Sequence, residues 1–188
     1  MEAGERLFVA LDLPPVVKDG LAAARSRSGL TRVGDAVRLV DPGQWHVTLV
    51  FLGWVPVGSR GEVVASLESV CAGVSGLDLV LAGGGRLGSA RGGVVYAGLA
   101  GDVERLGRLV RALRRSLRRV GLEVERRRFF PHVTVARVRG RVDLSREVER
   151  LGEFAGSAWR AEEAVLYRSR LSGEGAEYSV VARVPFAG

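Results

Sequence analysis

His46-Val47-Thr48-Leu49 and His132-Val133-Thr134-Val135 are two copies of one phrase. The chain has only two histidines, and each opens a copy. It has three threonines, and two of them close the His-x-Thr unit. Each copy lies in an apolar, β-branched run, WHVTLVFLG and FFPHVTVARV, which reads as a strand. Side chains alternate faces along a strand, so the His and Thr of one copy point the same way. Two such strands facing each other would bring two imidazoles and two hydroxyls to one cleft. That set suits in-line attack on a phosphodiester, with one imidazole taking a proton from water and the other giving one to the leaving oxygen. A metal centre is not expected, because two histidines without a Cys or carboxylate cluster are too few ligands. No cofactor is expected either.

The elements that must position these strands repeat as well. RLFVALDL (6–13) reads as a strand, and Pro14-Pro15 opens a helix with Val16, Val17, Leu21 and Ala24 inward and Gly29 as its stop. The first His-x-Thr strand follows and is expected to end at Gly53. In the second half GVVYAGLA (93–100) reads as a strand, and Asp102 as the cap of a helix through Val120. Gly121 is that helix's stop, and the second His-x-Thr strand follows. Strand, helix and His-x-Thr strand thus occur twice, near 6–53 and 93–139. Two copies related by a pseudo-twofold axis would bring the two histidines face to face.

Between and after the repeats, Ser59 and Glu62 read as a capping box for a helix bearing Val63, Val64, Leu67 and Val70. Residues 77–88 read as a strand entering a plain loop at Gly83-Gly84-Gly85, which lacks the Gly-Lys-Ser/Thr of a phosphate-binding loop. Ser145 to Leu151 reads as a short helix, and EEAVLYRSRL and EYSVVARVPF as a hairpin turning through SGEGA.

Net charge is +7, and Lys18 is the only lysine. An arginine-rich surface favours polyanions, and arginine can hold a phosphate through two parallel hydrogen bonds. Hydrophobic residues make up 47%, enough for a core. The single cysteine, Cys71, reads as a buried structural residue in a reducing compartment. No leader peptide or membrane span is expected, so a soluble cytoplasmic protein is expected, and a monomer is the default expectation.

Taken together, RLFVALDLP, VRLVDPGQWHVTLVFLG, FFPHVTVARV and LYRSRLSGEGAEYSVV resemble the RNA 2′,3′-cyclic phosphodiesterases, or 2′-5′ RNA ligases, of the two-histidine phosphoesterases. The resemblance runs nearly end to end, and it implies an α+β fold over a single bilobal catalytic domain, 1–188, with two antiparallel-sheet lobes related by pseudo-twofold symmetry around a central cleft and helices on the outside. It implies His46 as proton donor to the leaving oxygen and His132 as proton acceptor from water. It implies that Thr48, Thr134 and Arg137 bind phosphate. It implies an RNA ending in a 2′,3′-cyclic phosphate, tRNA fragments included, or a small cyclic nucleotide such as ADP-ribose cyclic phosphate, as substrate. A protein that binds RNA ends without turnover is the reading from another class. Departures from the family pattern at Gly43-Gln44-Trp45, Tyr96 and Phe130 touch substrate fit rather than chemistry.

Spacing alone qualifies two positions. Arg137 and Phe51 each lie five residues after a motif histidine, on the opposite strand face unless a bulge intervenes. Phe51 reads as core or as a base-stacking platform, with Trp45, Tyr96, Phe129 and Tyr167 as other platforms. Arg126-Arg127-Arg128 and the arginines of the 103–120 helix read as solvated charge.

Overall fold

Among the described residues the chain folds into nine strands and four α-helices. In the computed structural model, which describes residues 3–89, 91–172 and 175–188, the elements alternate along the chain. The first half holds β1 (Gly4–Asp12), α1 (Pro15–Ser28), β2 (Val37–Leu39), β3 (His46–Pro56) and α2 (Arg60–Cys71). The middle holds β4 (Leu77–Ser89), β5 (Gly92–Gly101), α3 (Val103–Arg119) and β6 (His132–Arg139). The remainder is α4 (Ser145–Gly152), β7 (Ala155–Ala161), β8 (Glu163–Ser172) and β9 (Gly175–Pro185).

Two antiparallel sheets form, in the orders β3-β1-β8-β9 and β2-β6-β5-β4-β7. Each places a His-x-Thr strand beside the first strand of its repeat, β3 against β1 and β6 against β5. The α+β architecture and the repeated order match the sequence reading. The helices do not stay with their repeats, however. α1, which leads from β1 of the first sheet to β2 of the second, packs with α4 against β7 of the second. α3, which joins two strands of the second sheet, packs on α2 and against β3 of the first. Leu106, Leu109, Val110, Leu113 and Leu117 form its buried stripe.

Several local expectations change. Val16 is exposed, and α1 buries Val17, Leu21, Ala24, Arg25 and Ser28 instead. Gly29 does end α1, at φ +94°. Ser59 makes no capping bond, because a turn of 3₁₀ helix at Val57–Ser59 feeds α2 with Ser59 already helical. The Asp102 carboxylate leaves its own helix uncapped and accepts from the Asp78 amide (3.0 Å) and Arg105 (2.7 Å). β3 runs past Gly53 to Pro56, with Gly53 absorbing an irregularity at φ +69°. The hairpin turn at 172–176 includes Gly173 and Glu174, which lie outside the described residues.

The three glycines at 83–85 are strand rather than loop. β4 continues through them, and pairing with β5 slips between Leu81 and Gly84 at Gly83, φ +71°. A Cβ at Gly84 would stand 2.7 Å from Leu151 Cγ and 3.0 Å from the Leu151 carbonyl, so the missing side chain lets α4 sit down on β4. Gly85 lies opposite Tyr96, and a Cβ there would be 2.6 Å from its ring. These glycines are therefore packing devices. Gly84→Ala should cost about 1–3 kcal/mol, the usual range for overpacking, read as a lower denaturant midpoint with unchanged slope.

Candidate active site

Both motif strands carry the same irregularity at the same place. Facing β3, Val9 pairs with Val50 and Ala10 with Thr48, passing over Leu49. Facing β6, Val95 pairs with Ala136 and Tyr96 with Thr134, passing over Val135. Leu49 and Val135 each stand three residues after their histidine. An extra residue shifts the alternation by one, so side chains beyond it change face. Burial follows that shift. Val47, Leu49, Val50 and Leu52 are buried in β3, as are Val133, Val135, Ala136 and Val138 in β6. His46, Thr48 and exposed Phe51 line one face of β3, and His132, Thr134 and exposed Arg137 line the equivalent face of β6. The bulge thus brings to the histidine face the two residues that strict alternation sends away. Phe51, 46% exposed, is no core residue. β3 and β6 run close to one another, and the charge of Arg137 is felt at the His46 ring.

The two imidazoles are oriented alike. His46 Nδ1 lies 2.7 Å from the Gln44 carbonyl, and His132 Nδ1 lies 2.8 Å from the Phe130 carbonyl. A carbonyl only accepts, so each Nδ1 carries the hydrogen and each Nε2 is left for chemistry. In the first motif the carbonyl is fixed by a short turn. Asp41 accepts from the Gly43 amide at 2.6 Å, and Gln44 Nε2 donates to the Ala176 carbonyl of β9 at 2.6 Å.

Aromatic rings enclose His46. Phe8 is 4.9 Å away, Tyr178 5.3 Å and Tyr167 6.2 Å, centroid to centroid, and Phe8 stacks on Tyr167 at 5.2 Å. Tyr167 donates to Asp12, which Arg183 also contacts at 3.1 Å and which faces His46 across the β1–β3 ladder. Burial pulls the His46 imidazolium down to about pKa 4. The Gln44 carbonyl and Asp12 pull the other way, and Lys18 and Arg137 add to the depression. His132 has lighter company, Tyr96 at 5.7 Å and Phe130 at 5.5 Å.

Of the other stacking candidates, Trp45 is fully buried and so no platform. Tyr96 and Tyr167 stand beside the two histidines. Phe129 packs partly buried against the core. Phe8, Asp12 and Tyr178 escaped the sequence reading. Asp12, a carboxylate inside an otherwise apolar strand, was the one visible signal among them.

Arg25 was also overlooked. Only 9% exposed, it sits 4.7 Å from the Trp45 ring centroid. Its Nη1 donates to the Val40 carbonyl at 2.5 Å and to that of Val135, the bulge residue of β6, at 3.3 Å. One guanidinium thus joins the residue before His46 to the residue after Thr134. Among the described residues no three His, Cys, Asp or Glu side chains gather in a way that could hold a metal ion.

Two outcomes follow from these contacts. A histidine neutral in the folded chain and ordinary in the unfolded one favours unfolding as it protonates. Stability should therefore be fullest above pH 6.5 and fall as pH drops toward about 4. Chemical denaturation at a series of pH values should show that loss in wild type and a smaller one in His46→Asn. Arg25→Met keeps an apolar stem over Trp45 but leaves the Val40 carbonyl without its donor. It should cost about 1–3 kcal/mol in denaturant unfolding and disturb the backbone resonances of both motifs.

Comparison with known proteins places this arrangement. The profile of the 2′-5′ RNA ligase superfamily matches residues 17–173. A protein of Aeropyrum pernix named RNA 2′,3′-cyclic phosphodiesterase is 32% identical over 70% of this chain and 74% of its own. One of that name from Methanothermobacter thermautotrophicus is 28% identical over 93% of this chain and 95% of its own. A third, from Geobacillus stearothermophilus, is 29% identical over 79% of this chain, which spans only 48% of that relative. Among solved structures, a Thermus thermophilus protein superposes with a TM-score of 0.82 at 26% identity, covering 97% of this chain and 98% of its own. E. coli LigT complexed with 3′-AMP shares the fold at TM-score 0.80 and 23% identity, covering 99% of this chain and 100% of its own. With its profile matched across both His-x-Thr strands and its fold shared end to end, the chain belongs to the 2′-5′ RNA ligase superfamily.

Proposed function

We propose that this protein is an RNA 2′,3′-cyclic phosphodiesterase that opens a terminal 2′,3′-cyclic phosphate to a 2′-phosphate, within one catalytic domain formed by both repeats. The observation that carries this reading is the doubled motif with its doubled bulge. Two imidazoles fixed through Nδ1 present Nε2 from equivalent strands, each with a threonine hydroxyl on the same face. The names of the Aeropyrum, Methanothermobacter and Geobacillus relatives support the same substrate.

In this mechanism His132 Nε2 accepts a proton from water as its oxygen attacks phosphorus. His46 Nε2 gives a proton to the departing 3′ oxygen, and the P–O3′ bond breaks. Thr48, Thr134 and Arg137 donate to the non-bridging oxygens. His46 is neutral in the empty cleft, so its proton must arrive with substrate. The anionic phosphate offsets the desolvation that holds the imidazolium down, and the nearby Asp12 charge adds to it. Phe51, exposed beside the site, is placed to stack on the terminal base. Run backward, the same chemistry joins the cyclic phosphate to a 5′-hydroxyl and gives a 2′-5′ bond.

Other side chains fit a soluble enzyme working in the cytoplasm as a monomer. Cys71 is buried and burial pushes its thiol up to about 11, so it stays inert. Among the described residues no helix is long and apolar enough to cross a membrane.

The test is a product assay on RNA ending in a 2′,3′-cyclic phosphate, in excess EDTA. A 2′-phosphate product is expected, and a dependence on added divalent metal would remove the two-histidine mechanism. His46→Ala and His132→Ala should each lower turnover about 10²–10⁴-fold, and the double variant little further. The rate should follow a bell in pH, with His132→Ala losing the acidic limb and His46→Ala the basic one. Exchanged limbs would reverse the roles of acid and base.

A further inference from the structure

The arginines of α3 divide into two groups. Near its start each has a carboxylate: Arg105 pairs with Asp102 at 2.7 Å and Arg108 with Glu104 at 2.6 Å. Among the described residues no carboxylate forms an ion pair with Arg111, Arg114, Arg115, Arg118 or Arg119. Arg111, Arg114, Arg115, Arg118 and Arg119 fall at helical spacings of three and four, so they form one stripe about 12 Å long. With Arg126 they line an open groove of ≈ 570 Å³. Glu125, whose charge reaches Arg114, is engaged by Arg127 at 2.6 Å.

This clustering is unfavourable in the unbound protein. Like charges at i,i+4 destabilise a helix by about 0.2–0.5 kcal/mol per pair. The helix dipole favours cations in the last turn only, which covers Arg118 and Arg119 but not Arg111, Arg114 or Arg115. Arg114 Nε is buried without a hydrogen-bond partner, and burial disfavours its charge; Glu125 offsets part of that, while Arg118 and Arg127 add to it. The groove is also tied to the active site. Arg114 donates to the Arg127 carbonyl at 2.8 Å, and Arg118 to the Val124 and Glu125 carbonyls at 3.4 Å. Those bonds hold the strand of chain that continues through Phe130 to His132. Six residues of extended chain reach about 20 Å, the scale of a few nucleotides.

We propose that the groove between α3 and residues 125–128 binds the sugar–phosphate backbone of single-stranded RNA, as the track along which the substrate strand leads to its terminal cyclic phosphate. Successive phosphates take the place of the missing carboxylates, and binding is governed by charge rather than by base sequence. The role as substrate track rests on the cyclic phosphodiesterase reading; the binding itself does not.

The experiment uses Arg111→Gln/Arg115→Gln/Arg119→Gln, which spares the two arginines bonded to backbone. A control, Arg27→Gln/Arg32→Gln/Arg146→Gln, makes the same charge change on the α1 and α4 side. Fluorescence anisotropy with a labelled decamer of single-stranded RNA bearing a 3′-hydroxyl measures binding without turnover. The groove variant should bind at least about tenfold more weakly, with a log–log salt dependence shallower by about 2, while the control changes little. Steady-state assays should then show KM for a cyclic-ended decamer rising about tenfold relative to KM for a mononucleotide 2′,3′-cyclic phosphate. Equal affinity of groove variant and wild type, or equal losses in groove variant and control, would overturn the proposal. Failure of wild type to open either cyclic phosphate would instead overturn the proposed reaction and leave the anisotropy result to decide the groove.

Discussion

The arrangement depends on one buried cation. Arg25 lies in α1, which carries the chain from β1 of the first sheet to β2 of the second and packs on the second. That crossing carries the guanidinium to where it can rest over Trp45, next to His46, while bonding to the bulge of β6, next to Thr134. Burying this charge is costly, and desolvation works against it with Asp41 offsetting part of the penalty. The cation–π contact and the carbonyl oxygens are what hold it there. Lysine would not serve, since its single ammonium cannot lie flat on an indole while bonding sideways. The two motifs belong to different sheets, and this residue touches the surroundings of both.

The reach of sequence reading can be seen at the bulges. Chemistry-bearing residues announced themselves because His and Thr are scarce here and recur in one order. Alternation then located Thr48 and Thr134 on the faces of His46 and His132, which the burial pattern matches. It sent Arg137 and Phe51 to the far side, because a bulge has no sequence mark of its own. Leu49 and Val135 are ordinary β-formers, and only the cross-strand ladder reveals that each is passed over. The mark is indirect and shows in one strand only: Val135-Ala136 is an adjacent apolar pair in a strand that otherwise alternates, whereas Leu49-Val50 is hidden in the apolar run Leu49-Val50-Phe51-Leu52.

Other features were hidden for different reasons. Arg25 occupies a position that helical spacing turns inward, four residues after Leu21, yet a charged residue there reads as surface until its acceptors are known. Asp12, Phe8 and Tyr178 become neighbours of His46 only through strand pairing across more than thirty residues, and in the last case through β8 and β9 as well. The Gly83–Gly85 run reads as a loop because glycine weakens strands, whereas Leu151 and Tyr96 supply the packing that makes strand geometry favourable.

The order β3-β1-β8-β9 also bears on how the chain acquires its shape. β1 pairs on one side with β3, some forty residues away, and on the other with β8, through matches such as Phe8 with Tyr167. During synthesis one edge of β1 is completed long after the strand emerges, when β8 arrives to pair with it. An unpaired apolar edge is a template for wrong partners, and contacts so distant in sequence close slowly. The second sheet draws all its strands from residues 37–161 and can assemble beforehand. α1 leads from β1 into β2 of that second sheet and packs against its β7, so the chain that bears β1 is tethered to the half of the molecule with the nearer partners.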